Sequence, residues 1–188
     1  NVLKGATSMS GDITSTVPKL TQDIKSLFQS CKSIYNGKLT LNADTLPSVE
    51  GLFMELTALN TAPSLTIPAA TNAKDLFKGC TALNTEIDLD LPEVTTLESA
   101  FEECTAFNEH LHINAAKLIN ASKLLKGATS FNQDITDHLL NTPLLENLES
   151  AFEGCTSYNK DVDMENNTQN VTNMKAMFKN CTSLDEKI

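Results

Sequence analysis

The chain has 188 residues, 40% hydrophobic and 20% charged, so it carries enough apolar surface for a folded core and lacks the signature of disorder. All 14 basic residues are Lys, against 24 Asp and Glu, for a net charge of −10. That sign argues against nucleic acid and anionic lipid as partners, and no apolar run approaches the roughly 20 residues that span a bilayer, so no direct membrane insertion is expected. The excess is local: residues 1–73 hold five Lys and five acids, whereas residues 74–188 hold nine Lys and nineteen acids.

In chain order, the segment Phe-x-x-Cys-Thr recurs. Its first position falls at Leu3, Phe28, Phe53, Phe77, Phe101, Leu125, Phe152 and Phe178, in steps of 24 to 27 residues. Three residues on lie Ala6, Cys31, Leu56, Cys80, Cys104, Ala128, Cys155 and Cys181. Six on lie Met9, Ile34, Leu59, Leu83, Phe107, Phe131, Tyr158 and Leu184. An Asn column follows, with Asn60, Asn84, Asn108, Asn132 and Asn159.

After each Asn column the pattern alternates with period two, the mark of a short strand with one buried face. Strands are predicted at Leu39–Leu41, Leu65–Ile67, Ile87–Leu89, Leu111–Ile113 and Val162–Met164, with less regular copies near Ile13 and Ile135. Apolar residues then recur three or four apart, as in Val94, Leu97, Phe101 or Val171, Met174, Phe178, which predicts a short helix or helical turn. One such unit cannot close its own core, so neighbouring units must stack.

With these columns in place, the chain resembles the BspA-like leucine-rich repeat family of surface proteins. The run from Cys80 through Ile87, Leu89, Pro92, Val94 and Leu97 to Phe101 and Cys104 carries the likeness most fully. The stretch from Asn170 through Phe178 to Leu184 is also similar to the 25–26-residue surface-lipoprotein repeats of mycoplasma-type bacteria. Those repeats usually place a Trp at the strand end, and this chain has none. The resemblance implies a solenoid on a secreted or surface-anchored protein that acts in adhesion.

The expected fold is a leucine-rich-repeat solenoid with α/β-type coils over residues 1–188. It would have about eight coils, short parallel strands on one face and short helices or helical turns on the other. The chain begins and ends inside a coil and reads as a segment of a longer array without terminal caps. No nucleophile–base pair, phosphate-binding Gly loop or His-Glu-x-x-His occurs, so neither catalysis nor a cofactor is expected.

Cys31, Cys80, Cys104, Cys155 and Cys181 share a column that also accepts Ala and Leu, which marks a buried slot for reduced thiols. The Asn column and the Thr column that begins at Thr57 read as structural ladders. Four Asn-x-Ser/Thr sites, at Asn120, Asn166, Asn170 and Asn180, are no more than composition delivers by chance.

Outward strand positions gather Asp88, His110, His112, Asp134, Asp161 and Asp163, the candidate contact surface for a protein or glycan, a basic one by charge. A divalent cation held by Glu86, Asp88, His110 and His112 is the lesser alternative. End-to-end self-association into filaments is the other functional class, since an uncapped stack exposes strand edges.

Overall fold

The computed structural model describes residues 12–16, 19, 24, 27–28, 39–134, 142–162 and 168–185. Among these residues five strands form: β1 (Ile13–Thr16), β2 (Leu39–Asn42), β3 (Ser64–Thr66), β4 (Ile87–Asp90) and β5 (Leu111–Asn114). They pair in parallel, β1-β2-β3 in one sheet and β4-β5 in another. The register follows the repeat: Leu41 faces Leu65 and Leu89 faces Ile113. Their side chains point into the stack, and the residues between them point out, as a pleat requires. The strands predicted near Ile87, Leu111, Leu65, Leu39 and Ile13 are therefore present. Val162 is buried without belonging to a strand, and Ile135 and Met164 lie outside the described residues.

The predicted helices are not there: among the described residues the opposite side of every coil is a chain of tight turns. The cause lies in the backbone around each Phe. Two residues before it stand Gly51, Asp75, Ser99, Lys123, Ser150 and Ala176, and two after it stand Glu55, Gly79, Glu103, Gly127, Gly154 and Asn180. All have φ between +56° and +79°. A right-handed helix cannot pass through left-handed residues spaced four apart.

Their N–H groups divide between two tasks. Leu52, Met54 and Leu56 donate to carbonyls three residues back, at Val49, Gly51 and Phe53. Val49, Gly51, Phe53 and Glu55 donate instead to Asn72, Lys74, Leu76 and Lys78 of the next coil. The same rungs recur from Phe77 to Ala100, Phe101 to Leu124, Leu125 to Ala151 and Phe152 to Met177. Each non-Gly left-handed residue costs on the order of 1–3 kcal/mol, and the rungs on either side over-determine it.

Turns that close every third residue bury a corner each time. In one coil the corners are Leu91, Val94, Leu97, Ala100, Phe101, Cys104 and Phe107, all buried. A column just before each Phe, with Leu52, Leu76, Ala100, Leu124, Ala151 and Met177, thus joins the core although helical spacing does not place it there. Met174, predicted to face inward, is 43% exposed, and Met177 takes the buried place.

An aromatic file runs through the core. Phe28, Phe53, Phe77 and Phe101 stack at 5.8, 5.2 and 5.1 Å. Leu125 interrupts that column, and the file crosses sideways through Phe107 (5.3 Å) and Phe131 (5.9 Å) before returning at Phe152 and Phe178. Tyr158 sits in the same lateral column as Phe107 and Phe131, fully buried, with its hydroxyl left without a partner among the described residues.

Candidate functional site

Polar ladders fix the edges of the coils. The backbone N–H of Asn108, Asn132, Asn159 and Asp185 donates to the side-chain oxygen of Asn84, Asn108, Asn132 and Asn159 in turn, at 2.8–2.9 Å. Asn60 is exposed at the head of that column. Thr81, Thr105, Thr129, Thr156 and Thr182 each donate a hydroxyl to the Thr carbonyl one coil back. Both columns hydrogen-bond each coil to the one before it.

A second ladder was hidden in plain sequence. Ser48, Asn72, Thr96, Asn120, Asn147 and Asn173 form successive parallel bridges. Each accepts, on its side-chain oxygen, the N–H two residues on, as Asn120 does from Ser122. The signal was an Asn, Ser or Thr five residues before every Phe-column residue from Phe53 onward. Asn120 is committed to this ladder inside its own Asn-x-Ser site.

The thiols of Cys80, Cys104, Cys155 and Cys181 are free, buried, and donate to the carbonyls of Phe53, Phe77, Leu125 and Phe152, each at 3.1 Å. Cys31 lies outside the described residues. Burial raises all four thiols, Cys104 to about 12. A thiolate is the reactive form, so thiols held protonated by burial are expected to react slowly. Thiol titration should therefore give a slow, small signal on the native protein and full reactivity after denaturation without reductant. Missing thiols in denaturant would mean disulfides.

On the turn side, charges alternate down the stack and pair between coils. Lys74 meets Glu98 at 2.9 Å and Lys78 meets Glu102 at 2.7 Å. Glu153 is clamped by Lys126 at 2.9 Å and Lys179 at 3.0 Å. Hydrogen bonds from Lys126, Lys179 and Ser150 hold the Glu153 carboxyl down, from 4.5 to about 2. A lowered folded-state pKa stabilises above the unfolded value, and the contribution fades as pH falls through the folded one. Acid titration of stability should thus lose part of its slope between about pH 4.5 and 2 in Glu153→Gln. An unchanged slope would mean that the clamp is not formed in solution.

The strand side differs. Asp88 and Asp90 stand outward on β4, Glu86 just before it, and His110 and His112 on the adjoining coil. The register sets Asp88 opposite His112 and Asp90 opposite Asn114. His112 Nε2 lies 2.9 Å from Glu86, Asn114 donates to Asp90 at 2.6 Å, and the two His rings stack at 6.1 Å. Asp134 and Asp161 are exposed in later coils, and Asp163 lies outside the described residues.

The structure thus brings Asp88, His110 and His112 onto one patch. It does not gather the cation alternative: among the described residues, no three or more His, Cys, Asp or Glu side chains are grouped to hold a metal ion. Among those residues no helix is long and apolar enough to cross a membrane.

Stacked parallel coils with a ladder-built core and an open strand face define a non-globular repeat protein. The chain belongs to the family described as Mycoplasma protein of unknown function, DUF285, whose profile matches residues 71–188. No curated protein and no solved structure matches it.

Proposed function

We propose that this chain is a non-enzymatic interaction module of the cell surface that binds a cationic protein through its acidic strand side. One observation carries the reading: charge is partitioned between the two sides of the stack. Turn-side acids such as Glu98, Glu102 and Glu153 are neutralised by Lys of adjacent coils. Among the described residues, the outward positions from Glu86 to Asp161 (Glu86, Asp88, His110, His112, Asp134 and Asp161) are carboxylates and His, with no Lys. A face rich in carboxylates, with no Lys in its outward columns, steers association and selects the sign of the partner. The repeat resemblance supports surface adhesion, and the charge favours a basic protein over a neutral or acidic glycan.

A labelled, blocked nonapeptide of alternating Lys and Thr serves as the probe, read by anisotropy at low salt. Asp88→Lys with Asp134→Lys should weaken binding and flatten its salt dependence. Glu55→Lys with Glu103→Lys, both exposed on the turn side, changes net charge equally and should leave most of the binding. Equal losses in the two pairs would reduce the effect to net charge and remove the strand side's role.

A further inference from the structure

The strand side is interrupted. No ladder joins β3 to β4. The flanking arcs nevertheless stay stacked, with Phe53 and Glu55 donating to Leu76 and Lys78 before the strands, and Ala73 and Asp75 to Thr96 and Glu98 after them. Only the strands part.

Sequence explains the parting. The β2–β3 register aligns Pro63 with Leu39, and the 24-residue period carries that column on to Ile87 and Leu111, an inward column whose N–H groups donate to the next coil, as Ile87 does to His110. Pro has no N–H to give, and Pro68 ends the strand a few residues on. A cleft of about 310 Å³ opens there, with Pro63, Ser64 and Leu65 on one wall and Glu86, Asp88 and Asp90 on the other.

In the intact ladders, residues with inward side chains bond the following coil, as Ala43 does to Thr66 and Leu91 to Asn114. The same alternation, carried on by the 24-residue period, turns the main chain of Leu65 and Ile67 toward that of Glu86, Asp88 and Asp90. Two strand edges therefore face each other across the cleft. An exposed edge is a template for an added strand. Ser64 and Thr66 on the β3 side are uncharged, so the three carboxylates at the mouth set the sign of what enters.

We propose that this cleft receives an extended segment of the partner protein that carries Lys or Arg. Its main chain pairs with the open edges of β3 and β4, which lie closer than the roughly 10 Å an intervening strand needs and therefore spread further to admit it, and its cationic side chains meet Glu86, Asp88 and Asp90. Peptide main chain offers N–H and C=O alternating at the strand repeat, which both edges need, and a glycan has no such repeat. The inference rests on the strand-side reading above and adds the place and the conformation of the bound segment.

The test uses the whole chain and the same Lys/Thr nonapeptide, alongside a copy N-methylated on alternate main-chain nitrogens, which keeps every charge but cannot form a ladder. The N-methylated peptide should bind about tenfold more weakly. Pro63→Ile, which restores the missing donor and the apolar column, should close the cleft, raise the melting temperature and weaken the unmodified peptide by a similar factor. Equal binding of the two peptides to the native chain would overturn strand addition even if Pro63→Ile failed to fold. In that case continued sensitivity to Asp88→Lys with Asp134→Lys would leave the strand-side reading standing. Failure of the native chain to bind either peptide would overturn both.

Discussion

Phe101→Ala should destabilise the chain by about 3–5 kcal/mol, the range for emptying a well-packed aromatic site. Phe101 is fully buried and is the point where the aromatic file turns, touching Phe77 at 5.1 Å and Phe107 at 5.3 Å. Each stacked pair contributes about 0.5–1.5 kcal/mol beyond area burial, so losing both adds to the cavity term. Rungs to the neighbouring coil hold the Phe101 backbone, with its N–H on Leu124, so the hole cannot collapse easily. Phe101→Leu should cost less, because Leu125 fills the same column one coil on. Chemical denaturation gives the measurement. A loss below about 1 kcal/mol for Phe101→Ala would mean that the file does not hold adjacent coils together.

The parts of this architecture that were legible in sequence are those that repeat one residue type at one inward position. Phe53, Phe77 and Phe101, the Cys column and the Asn column announce themselves because a stack presents the same slot to every coil. The period-two segments at Leu39, Ile87 and Leu111 likewise had to be strands. The turn arc misled because period three and period 3.6 are hard to separate over eight residues: Val94, Leu97 and Phe101 fit a helical face, and Ala100 is small enough to pass unnoticed. Left-handed positions were obscured for a related reason. Gly fills only some of them, and residues as varied as Asp75, Ser99, Lys123 and Ala176 fill others.

The candidate site divides in the same way. The outward position of Asp88 and His112 follows from the pleat, whereas the cleft depends on Pro63 falling in a donor column, which needs the register. The Lys–Glu pairing of the turn side needs it too. Lys78 and Glu102 are 24 residues apart and meet only because one coil has that length.

Two substitutions at Lys123 separate a turn arc from a helix by sign. Lys123 has φ +56°, and its N–H donates to the Glu149 carbonyl of the next coil at 2.9 Å. In a helix interior, Lys→Gly would cost up to about 1 kcal/mol, because Gly loses more backbone entropy on folding. Here Gly releases strain of about 1–3 kcal/mol, which offsets that entropy, so Lys123→Gly should be neutral or stabilising. Lys123→Pro should have the opposite and larger effect. Proline fixes φ near −65° and deletes the donor, so both the turn and the rung to Glu149 fail, at a cost of about 3 kcal/mol or more. Lys123 is partly exposed, so neither change empties the core and both effects report on the backbone. Melting temperatures with denaturant midpoints on the two variants give the answer. A clear loss with Gly would place Lys123 in right-handed backbone and restore the helix expected from spacing, whereas tolerance of Pro would mean that the rung to Glu149 does not bind the coils together.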